Sequence, residues 1–134
     1  MTYLATSINE SPVIVEKAGA AITDVRGKGL KYDTSGNVVL CSTAGEAVLG
    51  IGIMTNDEST ANGADVDIQI KDIGLVKAGA AITKGAELAV NASGLFVAAT
   101  AGQYVAAIAL EAASAANVYI KARLTGYQKN AASS

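Results

Sequence analysis

Few side chains in this chain of 134 residues are suited to catalysis. Histidine is absent, which excludes Ser–His and Cys–His nucleophilic pairs and most zinc sites. The single cysteine, Cys41, has no base beside it in the sequence, and we expect it to be a small buried side chain. The glutamates are scattered, and their spacing selects no two of them for acid–base work. We therefore predict no catalytic residues and expect that the protein is not an enzyme.

Two other patterns match ligand sites only in part. Asp65, Asp67 and Asp72 carry oxygen ligands of the kind that bind calcium, but the glycine of an EF-hand loop is missing. Asp65 and Asp67 alternate with apolar residues, which is typical of the solvated face of a strand. Gly27-Lys-Gly29 lacks the Ser or Thr that follows the lysine of a phosphate-binding loop. We expect no metal and no cofactor.

The composition argues against nucleic acid and membrane partners. The formal net charge is −2, and the charged residues occur in short alternations, so no basic stripe is available to neutralise phosphates. No apolar run approaches the roughly 20 residues of a membrane span. The segment Met1–Glu10 lacks the basic residues and apolar stretch of a signal peptide, so we expect a soluble protein that is not secreted.

The chain contains a duplicated unit. Residues 17–23 and 77–83 are the same heptapeptide, Lys-Ala-Gly-Ala-Ala-Ile-Thr, and further segments match in the same order. The matching pairs are 31–39 with 89–97, 43–46 with 100–103, 47–53 with 104–110, and 64–70 with 116–122. Between Thr23 and the strand predicted from Gly29 the first copy has an insert, Asp24–Lys28. If Gly29 is paired with Gly85, where the second predicted strand starts, this connection is four residues longer in the first copy than in the second.

The domain organisation follows from this duplication. Two units of under sixty residues are each marginal alone, so we predict that they share one core. The prediction is a single β domain over residues 13–134, with repeats at about 13–74 and 75–126 and a short C-terminal tail. Residues 1–12 have no counterpart in the second half and are predicted to form an N-terminal arm. A frayed terminus is the alternative interpretation of this segment.

Both copies predict short strands joined by glycine turns. Alternation places Val66, Ile68 and Ile70 on an inward face. In strand 48–53 it places Leu49, Ile51 and Ile53 on one face and the two glycines, Gly50 and Gly52, on the other. The predicted strands are 13–15, 29–33, 48–53, 65–71, 85–90, 106–110 and 117–124. Hairpin turns are predicted at 33–36 and 91–94, a loop at 56–63 and a loose tail at 127–134. We expect another backbone to approach the glycine face closely. The predicted fold class is all-β, a small antiparallel β-barrel or sandwich built from two related repeats.

The repeated elements resemble the capsid cement, or head decoration, proteins of tailed bacteriophages. The residues that carry the resemblance are Ala81-Ile-Thr-Lys-Gly85, Asn91-Ala-Ser-Gly94, the run from Thr100 to Ala113, the alternating segment Asn117–Gly126, and Thr43–Ile53 of the first copy. The resemblance covers most of the chain from Lys17 to Gly126. Ala106-Ala107 departs from the pattern where the first copy has Leu49-Gly50.

The resemblance implies a decoration protein that binds the outer surface of the assembled head and bridges capsid subunits. It implies the major capsid protein as partner, a homo-oligomer, often a trimer, and synthesis in the host cytoplasm. Alternatives are a head-fibre or tail accessory protein and a carbohydrate-binding module, which the scarcity of aromatic residues disfavours. Contacts should come from the parts that the two copies do not share. The predicted contact residues are Tyr3, Leu4 and Ile8 in the arm and Arg26 and Lys28 in the insert.

Overall fold

The computed structural model describes residues 11–130, so most of the predicted arm, with Tyr3, Leu4 and Ile8, lies outside the described residues. All regular elements in the described part are strands, which confirms the all-β prediction. They are β1 (Val13–Lys17), β2 (Ile22–Thr23), β3 (Gly29–Tyr32), β4 (Val38–Leu40), β5 (Gly50–Gly52), β6 (Ser59–Thr60), β7 (Asp65–Gln69), β8 (Ile73–Lys77), β9 (Glu87–Val90), β10 (Phe96–Ala98), β11 (Tyr104–Ala109) and β12 (Tyr119–Gln128).

The two repeats form two five-stranded antiparallel sheets with the same strand order. The first sheet is ordered β1-β7-β5-β3-β4, and the second, read from the matching end, is β8-β12-β11-β9-β10. Strands β2 and β6 form a separate pair. One isolated bridge links the edge strands of each sheet, Ala18 to Val38 and Ala78 to Phe96, without extending into a ladder. The sheets therefore do not close into barrels, and the arrangement is sandwich-like.

Matching turn chemistry produces the hairpin in each copy. Asp33 Oδ1 accepts hydrogen bonds from the backbone N–H groups of Ser35 and Asn37, at 2.8 and 3.0 Å. Asn91 Oδ1 accepts from the residues two and four positions further on, at 2.9 and 3.1 Å. The glycine that ends each turn has a φ of 83° or 78°, a left-handed conformation that favours glycine. The two predicted hairpins are confirmed as β3–β4 and β9–β10.

The repeats are joined through packing and main-chain hydrogen bonds. One buried cluster lies within the first repeat and includes Leu30 and Ile68, while the other fills the second repeat around Phe96. Cys41 and Ile51 of the first repeat belong to that second cluster, so the core crosses the boundary between the copies. Backbone hydrogen bonds cross it as well, among them Gly29 N to Gly94 O, Gly45 N to Val90 O, Lys77 N to Gly27 O, and Tyr104 N to Gly45 O.

Several predicted details of the strands are wrong. The loop predicted over 56–63 contains β6, which pairs with β2. Ile70, predicted inward, is 36% exposed because the chain leaves β7 at Gln69 and turns towards β8. The tail predicted to be loose from Tyr127 begins as strand, because Tyr127 and Gln128 extend β12 along the start of β11.

Strand β5 is also shorter than predicted and does not present one large apolar face. Leu49 lies before the strand and packs against the first cluster, whereas Ile51 joins the second. The predicted close approach of another backbone to the glycine face of this strand is confirmed. A β-carbon at Gly52 would collide with the carbonyl oxygen of Val25, and one at Gly50 would collide with the carbonyl oxygen of Gln69. Glycine is required here because neighbouring backbone lies against the strand.

Candidate protein-interaction surfaces

Within the described range, 11–130, the cysteine and acidic side chains singled out from the sequence do not come together in one site. Cys41 is buried, and desolvation raises the pKa of its thiol to about 12, which keeps it protonated and unreactive. Asp65 is exposed and pairs with Lys17, its cross-strand neighbour, at 2.6 Å. Across residues 11–130, no three of the Cys, Asp and Glu side chains converge as a metal site would require. The same range has no helix with the length and apolar character of a membrane span.

The insert connects the two repeats. Gly27 N–H donates to Gly52 O at 2.7 Å, and Gly27 O accepts from Lys77 N at 2.8 Å, so this one residue joins β5 of the first sheet to β8 of the second. Gly85 makes the corresponding bond to Ala109 in the second copy, at 2.8 Å. Gly85 is therefore the counterpart of Gly27 rather than of Gly29. By this pairing the first copy is two residues longer, and the predicted difference of four is wrong.

The side chains of the insert form a partly buried charge network. Arg26 Nε donates to Asp24 Oδ1 at 2.7 Å, and Arg26 also lies 3.6 Å from Glu58 Oε1. Asp24 Oδ2 lies 3.7 Å from Lys77 Nζ, across the repeat boundary. The hydrogen bond from Arg26 lowers the pKa of Asp24, with burial opposing and the Lys77 and Lys28 charges assisting. Lys28 Nζ donates to the carbonyl of Thr23 at 3.3 Å, so both predicted contact residues of the insert have partners within the chain.

The substitution Asp24→Asn is expected to lower the free energy of unfolding by about 1 kcal/mol at neutral pH, because it removes the carboxylate that lies between Arg26 and Lys77 and leaves Arg26 only its longer contact with Glu58. Asparagine tolerates the φ of 50° at this position. Since the pKa of Asp24 is lowered on folding, its contribution is present above 3.8 and is lost as the pH falls through the folded-state value. Urea unfolding of both proteins between about pH 7 and about pH 2.5 measures this.

The control for this experiment is Asp57→Asn, which removes the same charge from an exposed loop position. We expect it to leave stability unchanged within error at every pH. A difference between Asp24→Asn and the wild-type protein that persists unchanged at the lowest pH would contradict an electrostatic origin.

An apolar corner lies where the first repeat leads into the second. Ile73 is 56% exposed, Leu75 is 37% exposed, and Met54 and Ile70 are exposed beside them. Leu75 and Met54 line a surface depression of about 230 Å³ together with Ile51, Ile53, Gln69 and Gly74. Exposed apolar clusters on soluble proteins mark interaction sites. Sequence alternation missed this corner because it assigned Ile70 to the interior, and no sequence pattern showed that β7 ends at Gln69.

Two exposed tyrosines are held by carboxylates in corresponding sheets. Tyr32 OH donates to Glu16, and Tyr127 OH donates to Glu87 at 2.8 Å. Glu87 also accepts from Lys129 Nζ at 2.7 Å, which further anchors the end of β12. The hydrogen bonds to the carboxylates raise the pKa of both phenols, so both rings stay neutral at physiological pH. These contacts fix the orientation of the two rings on the surface.

Comparison with known proteins agrees with the resemblance inferred from the repeats. A family model described as phage cement protein matches residues 34–124. No curated protein matches the chain. Among solved structures, the N-terminal base of head fibre protein gp8.5 of bacteriophage phi29 is similar in fold, with a TM-score of 0.61 and 14% identity over 84% of this chain and 92% of that one. Since the family model spans more than half of the sequence, this chain belongs to the phage cement protein family, as a structural protein of the phage capsid.

Proposed function

We propose that this protein binds the outer surface of the assembled head and stabilises the shell by bridging neighbouring subunits of the major capsid protein. The observation that carries the proposal is the family match over residues 34–124. An exposed apolar corner at Ile73 and Leu75 supports it, because a bridging protein needs surface available for partners. We further propose that the protein is made in the host cytoplasm, acts as a homo-oligomer and has no catalytic activity.

Bridging explains how weak contacts stabilise a shell. Once one protomer of an oligomer is bound, the remaining contacts form at a high effective concentration. A protein that binds the assembled lattice and not free subunits shifts the equilibrium towards the lattice by mass action. At a free concentration one hundred times Kd, that shift is about 2.7 kcal/mol per site.

The test is to mix purified protein with capsids that lack it and to pellet the capsids. We expect saturable co-sedimentation and a higher capsid melting temperature in calorimetry. Free capsid subunits before assembly serve as the matched control and are expected to bind much more weakly. Absence of the protein from the capsid pellet at saturating concentration would refute the proposal.

The arm is proposed to contact the major capsid protein through Tyr3, Leu4 and Ile8, with Arg26 and Lys28 contributing from the insert. Deletion of residues 1–10 is expected to leave the melting temperature of the isolated protein within about 2 °C of the wild-type value and to weaken capsid binding at least tenfold. This deletion keeps Ser11, whose Oγ accepts a hydrogen bond from Val13 N at the start of β1. Sedimentation with capsids over a concentration series measures the change.

A triple variant of the full chain, Tyr3→Ser, Leu4→Ser and Ile8→Ser, separates the side chains from the length of the arm. If the side chains make the contact, this variant binds as weakly as the deletion. Capsid binding of the deletion variant equal to that of the wild-type protein would contradict a role for the arm and favour a frayed terminus.

The alternative function is that of a head-fibre base. The fold similarity to the phi29 head fibre base favours it as the second candidate. Electron microscopy of virions carrying a labelled copy distinguishes the two. A cement protein occupies a regular lattice over the head, whereas a fibre base lies beneath discrete projections.

A further inference from the structure

Equivalent outward faces of the two repeats carry opposite charge. In the first repeat, β1 and β7 pair so that Val13 lies opposite Gln69, Val15 opposite Asp67, and Lys17 opposite Asp65. On β7 the residues between these positions, Val66 and Ile68, are completely buried, so Asp65, Asp67 and Gln69 lie on the opposite, outward face. We call the six outward residues the first ribbon: Val13, Val15, Lys17, Asp65, Asp67 and Gln69.

The second repeat presents the corresponding face on β8 and β12. There Ile73 lies opposite Arg123, Leu75 opposite Lys121, and Lys77 opposite Tyr119. Among the intervening residues, Val76, Ile120 and Ala122 are buried. We call the outward set the second ribbon: Ile73, Leu75, Lys77, Tyr119, Lys121 and Arg123. When the two ribbons are compared at equivalent strand positions, Lys121 corresponds to Asp67 and Arg123 corresponds to Gln69.

The unpaired charges on the ribbons are complementary. On the first ribbon Asp65 is paired with Lys17, while the Asp67 carboxylate has no ion-pair partner among residues 11–130. On the second ribbon Lys77 contacts Asp24 and the face of Tyr119, while the Lys121 ammonium and the Arg123 guanidinium have no such partner in the same range. The first ribbon therefore presents an unpaired anion, and the second presents two unpaired cations.

Exposed apolar side chains lie beside these charges on both ribbons. Val15 is 56% exposed next to Asp67, and Ile73 is equally exposed next to Arg123. Both ribbons also lie at sheet edges, because β1 and β8 are terminal strands in their sheets. An apolar centre flanked by charges that lack partners is the composition expected of a protein–protein interface.

We propose that the first ribbon of one copy docks on the second ribbon of another copy. Asp67 then faces Lys121 and Arg123, and Val15 packs against Ile73 and Leu75. Like ribbons repel, since contact between two second ribbons would bring four unpaired cations together, so charge favours contact between unlike ribbons. Such head-to-tail contact leaves one unused ribbon on each copy of a pair, so further copies can add. A ring forms if the rotation between neighbouring copies closes, and an open filament forms if it does not. The proposal deepens the proposed function, in that it supplies the interface of the bridging oligomer.

Charge reversal at the two equivalent positions tests the interface in the full chain. Light scattering and sedimentation velocity of the wild-type protein, over a dilution series from roughly 1 µM to roughly 1 mM that covers weak association, should show a concentration-dependent oligomer. Asp67→Lys and Lys121→Glu are each expected to weaken association at least tenfold, because each places like charges in contact. The double variant is expected to associate at least fivefold more tightly than either single variant, because the introduced lysine of one copy then meets the introduced glutamate of the next.

Control variants carry the same charge changes away from the ribbons. Asp57→Lys and Lys84→Glu lie at exposed positions in loops, and we expect both to associate as the wild-type protein does. Thermal melting verifies that every variant is folded, and recovery in the double variant excludes misfolding as the cause of dissociation. A wild-type monomer throughout the series, single variants that associate normally, or a double variant no tighter than the singles would each overturn the proposal.

Zero-length crosslinking of the wild-type protein provides the second measurement. A carbodiimide joins a carboxylate to an amine in direct contact, and an equal mixture of ¹⁵N-labelled and unlabelled protein identifies links between copies. We expect mixed-isotope links from Asp67 or Asp65 to Lys121 or Lys77. Crosslinks between copies that join only residues outside both ribbons would identify a different interface and refute this one. Because neither measurement contains capsid, their outcome is separate from that of capsid sedimentation.

Discussion

Phe96→Ala is expected to lower the free energy of unfolding by about 3–5 kcal/mol, the usual range for truncating a fully buried phenylalanine. Phe96 is the only phenylalanine in the chain and is completely buried in the cluster of the second repeat. Alanine supplies much of that cluster, and small side chains leave few neighbours able to move into the space left by a lost ring. Chemical denaturation monitored by circular dichroism measures the loss.

The duplication provides a matched control for this prediction. Val38 occupies the corresponding site in the first repeat, because each residue starts the second hairpin strand and forms the isolated bridge to Ala18 or Ala78. Val38→Ala removes fewer carbon atoms from an equivalent backbone and is expected to lower stability by about 2 kcal/mol. If the two repeats fold as one unit, both variants shift a single transition. Loss of only half of the signal at low denaturant in Phe96→Ala would show that the repeats unfold separately.

Gly52→Ala is expected to lower the free energy of unfolding by roughly 2–4 kcal/mol, although it adds only one methyl group. The new β-carbon would overlap the carbonyl oxygen of Val25, which is backbone and has no alternative rotamer. This overlap is removed only if the insert moves away from β5. That movement strains the 2.7 Å hydrogen bond from Gly27 N to Gly52 O and, through Gly27, the link to Lys77 in the second repeat.

The control for Gly52→Ala is Gly36→Ala in the first hairpin turn. Apart from its chain neighbours, no atom of residues 11–130 lies within 4 Å of a β-carbon at Gly36, so its φ of 83° is what opposes the substitution. We expect a loss of roughly 1 kcal/mol there, from the left-handed conformation alone. Thermal and urea unfolding of the two variants measures both penalties, the steric overlap in Gly52→Ala and the unfavourable backbone conformation in Gly36→Ala. Equal losses would show that the backbone of the insert gives way to a methyl group at Gly52.

The link through Gly27 changes the interpretation of the insert. From the sequence, Asp24–Lys28 is an unshared loop and therefore a candidate for partner contact. In the structure its backbone joins β5 to β8, Val25 is fully buried, and Arg26 and Lys28 are engaged within the chain. On the two ribbons, by contrast, the charges without an ion-pair partner among residues 11–130 are those of Asp67, Lys121 and Arg123, which occupy regular strand positions in the repeats. The backbone links of the insert were not predictable from the sequence, because their partners, Gly52 and Lys77, are distant from Gly27 along the chain.

Features determined by local chemistry could be predicted from the sequence alone. Heptapeptide identity and matching segments predicted the duplication, and the two sheets repeat one strand order. Asp33 and Asn91, each followed three residues later by glycine, predicted the hairpins because a turn depends on about four or five consecutive residues. Alternation in β7 predicted the burial of Val66 and Ile68, since successive side chains in a strand point to opposite faces.

Tertiary structure alone decided where the strands end and which surfaces remain open. Ile70 continues the alternation of β7 but lies outside, because the chain turns there to begin the second repeat. Tyr127 continues β12 because β11 offers a partner strand and Glu87 and Lys129 hold that end in place. The opposite charge of the two ribbons depends on placing Asp67 and Lys121 at equivalent positions in two sheets. Such a comparison requires strand register, which is set by packing between segments far apart in the chain.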